Sequence, residues 1–163
     1  MAQGLLIVWH SRTGASRAVA QAACVGASVE AAPVRLLGAQ EAGPDDLLAA
    51  AGYLFCCPEN LGSMTGEMKA FFDRCYFPLL GRIEGRAYAT IIAAGSDGSG
   101  AERQIDRIVT GRRLRRVAEP LIICTKAQAP QQILVPKTLE NADLEKCREL
   151  GQAVSAGLAL GVF

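Results

Sequence analysis

The strongest constraint on the fold is a set of short apolar segments that recur between amphipathic helices. The first of them, Leu5–Trp9, has no polar residue and runs directly into a polar turn. A strand without polar alternation is typical of burial on both faces, as in a parallel sheet covered by helices. The alternation of such strands with helices therefore predicts an α/β fold with helices on both sides of a parallel sheet.

Five strands and five helices follow from this pattern, within one domain that spans residues 1–163. The predicted strands are Leu5–Trp9, Val29–Leu37 (interrupted by Pro33), Tyr53–Cys57 (ended by Pro58), Tyr88–Ala94 and Leu121–Thr125. The predicted helices are Ser16–Val25, Asp45–Ala51, Glu67–Phe77, Ala101–Val117 and a last one from Leu139 or Glu140 to about Leu160. Residues 126–138, with two prolines, are predicted to be irregular.

Charge and cysteine content exclude several function classes. The chain carries 17 basic and 16 acidic residues, a net charge of +1, which argues against nucleic acid or an anionic membrane as the main partner. Its six cysteines have no C-x-x-C spacing and lie mostly in apolar runs, which indicates free thiols and no metal site. The sequence shows neither a signal peptide nor a membrane span, so we expect a cytoplasmic protein.

Three polar loops rich in small residues follow the predicted strands, at residues 10–16, 58–66 and 95–100. Open parallel sheets bind ligands beyond the carboxyl ends of their strands, where strand order reverses. In the first loop, the hydroxyls of residues 11–16 and the free amides of a helix N-terminus are suited to an anion. The alternative is an ordinary capped helix start, in which Ser or Thr serves only as the N-cap.

Three segments resemble one family of proteins. Residues Ile7–Ser16, IVWHSRTGAS, look like the phosphate-binding signature of flavodoxin-like flavoproteins, with Trp9 where Phe or Tyr is usual and Ser16 where Thr is usual. Residues Pro58–Arg74, PENLGSMTGEMKAFFDR, are similar to the segment that NAD(P)H-dependent FMN reductases and quinone reductases place beside the flavin ring. Residues Gly95–Glu102 resemble the glycine-rich loop on its other flank. The resemblance covers about residues 4–125 with consistent spacing.

This resemblance implies a flavodoxin-like three-layer sandwich with a five-stranded parallel sheet of order 2-1-3-4-5 and FMN as the cofactor. The first loop would bind the FMN phosphate, the second would line one edge of the ring, and the third would approach its pyrimidine side. The residues that the resemblance assigns to the cofactor are Ser11, Arg12, Thr13, Gly14, Ala15, Ser16, Pro58, Glu59, Asn60, Leu61, Gly62, Ser63, Gly95, Ser96, Asp97 and Gly98.

The activity that the resemblance implies is two-electron reduction of a small acceptor, a quinone or a flavin, with NAD(P)H as electron donor. No aromatic residue occurs at positions 59–62, which would leave one face of the ring open to a second ligand. Two alternatives stay open: an electron carrier without its own substrate, and a regulatory domain that has lost its flavin. A homodimer whose second copy completes the pocket is also expected. The sequence does not distinguish NADH from NADPH.

Other conspicuous residues have simpler interpretations. His10, the only histidine, is expected to form a hydrogen bond at a strand end rather than to transfer protons. Trp9, Tyr53, Cys56 and Cys57 are expected to pack in the core, with the two cysteines on opposite faces. Lys69 and Asp73 are spaced for a helical ion pair. Six arginines between residues 103 and 116 would form a solvated helix face, or else would hold a phosphate of NADPH or an acidic partner.

Overall fold

The computed structural model describes residues 1–163 and shows helices on both faces of a central sheet. The strands are β1 (Leu5–Trp9), β2 (Val34–Gly38), β3 (Gly52–Asn60), β4 (Ser63–Met64), β5 (Ala87–Ala94), β6 (Arg115–Arg116) and β7 (Leu121–Cys124). The helices are α1 (Ala15–Ala27), α2 (Pro44–Ala49), α3 (Gly66–Arg74), α4 (Ser99–Gly111), α5 (Pro130–Leu134) and α6 (Asn141–Ala159), with a 3₁₀ turn at Phe77–Leu79.

The main sheet is parallel, and its order is β2-β1-β3-β5, with β6 and β7 both paired to β5. The predicted order 2-1-3-4-5 is confirmed, because β5 is the fourth predicted strand and β7 is the fifth. The fifth position differs in being split between β6 and β7. Pro120 lies in the break between them and has no N–H for the ladder. The carboxyl ends of β1, β3, β5 and β7 meet at one edge of the sheet.

Two apolar layers hold the helices to this sheet. The alternate residues of β1, β3 and β5 point to opposite faces, which is why Cys56 and Cys57 lie in different layers, as predicted. On one face, Tyr53 and Phe55 pack with Phe71 and Phe72 of α3 and with apolar residues of α2 and α4. On the other face, α1 and α6 cover the sheet. This is the three-layer arrangement expected from the sequence.

Helices α1 and α6 approach each other closely because glycine occupies both sides of their contact. A Cβ at Gly26 would lie 1.9 Å from the carbonyl oxygen of Arg148, and one at Gly151 would lie 2.0 Å from that of Ala23. Neither backbone can retreat without moving its whole helix. The two glycines therefore set how close these helices lie on the sheet.

Pro58 does not end β3, contrary to the sequence prediction. The carbonyl of Cys56 accepts a hydrogen bond from the amide of His10, so the backbone groups of Cys56 face β1. Backbone groups two residues apart on a strand face the same side. The nitrogen of Pro58, which carries no hydrogen, therefore also points toward β1, but beyond the last residue of that strand. No ladder bond is lost there, and Pro58 pairs with Ala93 of β5. The strand continues to Asn60 and turns back into β4, where the sequence predicts a loop.

Several helix and strand ends also differ from the prediction. Strand β2 begins only after Pro33, and α3 stops at Arg74, ahead of Pro78, which cannot donate a helical hydrogen bond. Helix α4 ends at Gly111 instead of Val117, because Arg113 adopts a left-handed conformation (φ 60°) and Leu114 donates back to Val109. No helix in the protein combines the length and apolar character needed to cross a bilayer.

The α1–α6 contact gives a test of the packing. Gly151→Ala should lower the free energy of unfolding by about 1–3 kcal/mol, because the added methyl group overlaps the Ala23 carbonyl. Gly111→Ala is the matched control, since nothing lies within 4 Å of its Cβ position at the end of α4. Urea denaturation of both variants measures the difference. Equal stabilities would contradict the close crossing.

Candidate functional site

A cleft of about 250 Å³ lies at the carboxyl edge of the sheet. It is lined by the ends of β3 and β5, by the loop between β1 and α1 with the start of α1, and by residues 125–137. The residues that line it are Ser11, Arg12, Thr13, Ala15, Ser16, Pro58, Glu59, Asn60, Ala93, Ala94, Gly95, Thr125, Ala127, Ile133, Leu134 and Lys137.

The loop before α1 directs hydrogen-bond donors into this cleft. Gly14 has φ 97°, a conformation that favours glycine, and its amide donates to the Ser11 hydroxyl at 3.0 Å. The first helical bond is from Ala18 to Gly14, so the amides of residues 15–17 have no helical acceptor. The Ser16 hydroxyl is buried and has no hydrogen-bond partner. No side chain caps α1, so the capped-helix alternative does not account for this serine.

Glu59 links the second loop to the third. Its carboxylate accepts hydrogen bonds from the amides of Gly98 (3.0 Å), Gly100 (2.8 Å) and Ala101 (3.1 Å) at the start of α4. A carboxylate at a helix N-terminus also interacts favourably with the helix dipole. A Cβ at Gly100 would lie 2.0 Å from the carbonyl oxygen of Gly62, so glycine is needed where the loops meet. Both loops are therefore held in place by the chain itself.

The turn between β3 and β4 is tight and exposed. Leu61 (φ 54°) and Gly62 (φ 70°) are both left-handed, as in a type I′ hairpin turn. The Leu61 side chain is 97% exposed and contributes nothing to the core. A left-handed leucine costs on the order of 1 kcal/mol relative to a right-handed one. This residue is thus both strained and free of internal contacts.

Residues 126–138 form the part of the cleft that the sequence prediction missed. They contain the short helix α5, which Pro130 begins, rather than only irregular chain. The amide of Lys137 donates to the Thr13 carbonyl at 2.8 Å, and a Cβ at Gly95 would lie 2.6 Å from the Ala127 carbonyl oxygen. The proline at the first helical position was the available sequence signal, but the segment was too short to show helical periodicity.

The structure brings nine of the sixteen proposed cofactor residues to the wall of the cleft. These are Ser11, Arg12, Thr13, Ala15, Ser16, Pro58, Glu59, Asn60 and Gly95. Gly14 lies in the first loop but is not part of the wall. Leu61, Gly62 and Ser63 lie in the adjoining hairpin, and Ser96, Asp97 and Gly98 lie in the third loop, also outside the wall. The cofactor roles of all sixteen stay predictions.

His10 joins the end of β1 to the start of α3. Its Nδ1 lies 2.9 Å from the Thr65 hydroxyl, and its Nε2 lies 3.8 Å from Glu67, which also pairs with Arg12 at 3.0 Å. Burial lowers the pKa of His10 below its ordinary value, although the Glu67 carboxylate partly opposes this. The backbone amide of Glu67 lowers the pKa of its own carboxyl group, and His10 and Arg12 add to this.

The six arginines do not form one surface. Arg116 pairs with Glu102 (2.6 Å) and Asp106 (2.7 Å), and Arg113 lies 3.6 Å from Glu84. Arg112 lies over the rings of Phe72 and Tyr76. Arg103, Arg107 and Arg115 are exposed. Three of the six therefore have local partners, and none of the six lines the cleft. On α3, Lys69 and Asp73 form the predicted ion pair at 2.7 Å.

Comparison with known proteins identifies the family. The model of the NADPH-dependent FMN reductase family matches residues 39–120, half of the chain. The chain belongs to this family. The match covers β3, α3, β5 and α4, and therefore the second and third loops of the cleft. The resemblance inferred from the sequence is confirmed.

Relatives and solved structures extend the comparison to the whole fold. A flavodoxin of Aquifex aeolicus is 34% identical over 107 residues, which are 65% of this chain and 58% of that protein's length. A flavodoxin from the domain Archaea superposes with a TM-score of 0.78 at 19% identity, over 94% of this chain and 97% of its own. A flavodoxin, WrbA-like protein from Agrobacterium tumefaciens gives 0.78 at 16%, over 98% and 99%. The fold is flavodoxin-like.

The environment of His10 predicts a pH dependence of stability. Its pKa is lowered on folding, so the unfolded chain binds the proton more tightly, and stability is lost as the pH falls below about 6.5. His10→Gln should remove this part of the loss between pH 7 and pH 5.5, while the loss from carboxyl groups at lower pH stays. Urea denaturation across this range measures it, and parallel profiles would contradict the prediction.

Proposed function

We propose that this protein binds FMN in the cleft and uses NAD(P)H to reduce a small acceptor by two electrons. The observation that carries the proposal is the unpartnered, buried hydroxyl of Ser16, which lines the cleft beside three free helical amides. A buried polar atom without a partner is rare in folded proteins and points to a missing ligand. Family membership supports FMN as that ligand.

The donor set fits a phosphate group. Hydroxyls, backbone amides and the positive end of the α1 dipole converge on one side of the cleft, and all of them favour an anion. The only carboxylate in the wall belongs to Glu59, whose two oxygens accept three amide hydrogen bonds. These donors and the positive end of the α4 dipole partly offset its negative charge.

The part of the cleft beside the β3–β4 hairpin is suited to a ring that stays accessible. Asn60 and Leu61 are exposed, and no aromatic residue occurs in the loops at 58–63 and 95–98. With the phosphate held by residues 11–16, the ring of FMN would extend toward the hairpin without an aromatic cover. A second flat molecule, nicotinamide or acceptor, could then approach it closely.

When bound, FMN supplies the electron-transfer chemistry, and the chain supplies position and electrostatics. Gly14 and Ser11 shape the phosphate loop, while Glu59 fixes the start of α4 against the hairpin. The ion pair of Arg12 with Glu67 joins the phosphate loop to α3. The acceptor is proposed to be a quinone or a flavin. We also propose that a second copy of the chain completes the pocket.

An electron carrier is the second candidate function. It is supported by the Aquifex aeolicus relative, which is named a flavodoxin. The two functions differ in what NAD(P)H does to the protein: a reductase accepts electrons from it directly, and a carrier receives them from a partner protein. The open hairpin and the near-neutral charge favour the reductase.

The phosphate loop gives a direct test of the binding site. Gly14→Val places a branched side chain at φ 97°, so the affinity for FMN should fall at least about tenfold while the fold survives. Gly81→Val is the matched control, because Gly81 is also left-handed (φ 69°) but lies in an exposed turn with open space around it. Quenching of flavin fluorescence measures both affinities. Equal affinities would exclude this loop as the phosphate site.

The choice between reductase and carrier rests on an anaerobic experiment. We expect the FMN-loaded protein to lose its visible absorption within seconds to minutes of adding NADPH or NADH, and to regain it when a quinone is added. Free FMN at the same concentration is the control for uncatalysed reduction. If neither nucleotide changes the spectrum while dithionite does, the carrier function is supported and the reductase is excluded.

A further inference from the structure

We propose that Lys137 is an additional ligand of the cofactor phosphate, so that the segment after the last strand recognises the charged end of FMN. This inference rests on the proposed FMN binding. Neither the family match nor the resemblance reaches this residue, because they end at residues 120 and about 125. It is carried by the position of Lys137, its hydrogen bonds and the charges around it.

The backbone places Lys137 directly against the phosphate loop. Its amide donates to the Thr13 carbonyl at 2.8 Å, and its own carbonyl oxygen lies 4.0 Å from the Cβ position of Gly14. The side chain is half-buried and lines the same cleft as Ser16. The backbone of Lys137 is therefore fixed at the rim of the proposed phosphate site, and the ammonium group extends from there.

The hydrogen bonds of the ammonium group leave one donor available. Its Nζ donates to the carbonyl oxygens of Ile133 (2.8 Å) and Val135 (2.7 Å), at the end of α5. An ammonium group has three protons, so the third has no acceptor within the protein. A phosphate oxygen in the cleft can accept it without breaking either existing bond.

Lys137 is also the cation of the cleft wall that no carboxylate neutralises. Arg12, the other cation there, pairs with Glu67 at 3.0 Å, whereas no acidic group lies within ion-pair distance of Lys137. A full positive charge beside a bound dianion gives a charge-assisted hydrogen bond, which is stronger than one between neutral groups. The charge of Lys137 is thus free to act on the phosphate.

The same contacts connect the phosphate to the apolar part of the wall. Lys137 holds the end of α5 through its two carbonyl contacts, and α5 carries Ile133 and Leu134 over the cleft. A phosphate bound to Lys137 would hold this segment against the phosphate loop. Binding at the charged end of the cofactor would then order the surface next to it.

The test compares FMN with riboflavin, which has the same ring and ribityl chain but no phosphate. Dissociation constants for both are measured by fluorescence quenching with wild-type protein, Lys137→Met and Lys137→Arg. We expect Lys137→Met to weaken FMN binding about tenfold or more, and riboflavin binding by less than about twofold. Lys137→Arg should keep most of the preference for FMN. Lys126→Met, which removes a charge from the same segment outside the cleft, is the control.

The outcomes separate this inference from the function on which it rests. If wild-type protein binds neither flavin, the proposed function fails. If it binds FMN and Lys137→Met keeps the same ratio of FMN to riboflavin affinity, FMN binding stands and the role of Lys137 is wrong. An equal loss for both flavins would also overturn it, because that result indicates a structural effect on α5. A loss of the ratio in Lys126→Met as large as in Lys137→Met would show only a general charge effect.

Discussion

Burial of the three central strands on both faces is the constraint on which the rest of the structure depends. β1, β3 and β5 supply side chains to the apolar layers on both sides of the sheet, and β5 is buried along its entire length. An unpaired polar group in these layers would cost several kcal/mol, on the order of 2–7 without a hydrogen bond. Polar groups therefore concentrate where the strands end. The cleft lies at the carboxyl edge, where the loops after the strands supply such groups.

The loops at this edge are organised before any ligand arrives. Glu59 satisfies three amides at the start of α4, and Gly100 lets the backbone of the hairpin lie against that helix. The first loop is fixed in a similar way by the Ser11 contact to Gly14. Because these loops are already ordered, less conformational entropy is lost on binding. The amides at the start of α1 remain without partners, and an anion is expected there.

The sequence was sufficient to predict five of the seven strands and the three loops that follow them at the carboxyl edge. Apolar runs such as Leu5–Trp9 predicted buried strands because their pattern reflects burial directly, and the three loops followed from strand order. Local conformations were missed where tertiary contacts decide them. Pro58 stays in a strand because β1 ends before it, and α4 stops where Arg113 turns left-handed. Lys137 was missed because its approach to Thr13 joins residues 124 positions apart.

The split fifth position of the sheet has a consequence for the protein in crowded solution. A long, regular outer strand offers unpaired backbone groups to another chain, which is a common start of aggregation. Here that border is divided into two residues of β6 and four of β7, with Pro120 between them and two arginine side chains on β6. An incoming strand would meet a gap, a missing donor and positive charge within ten residues. The break between β6 and β7 therefore disfavours pairing of a second chain with this edge of the sheet.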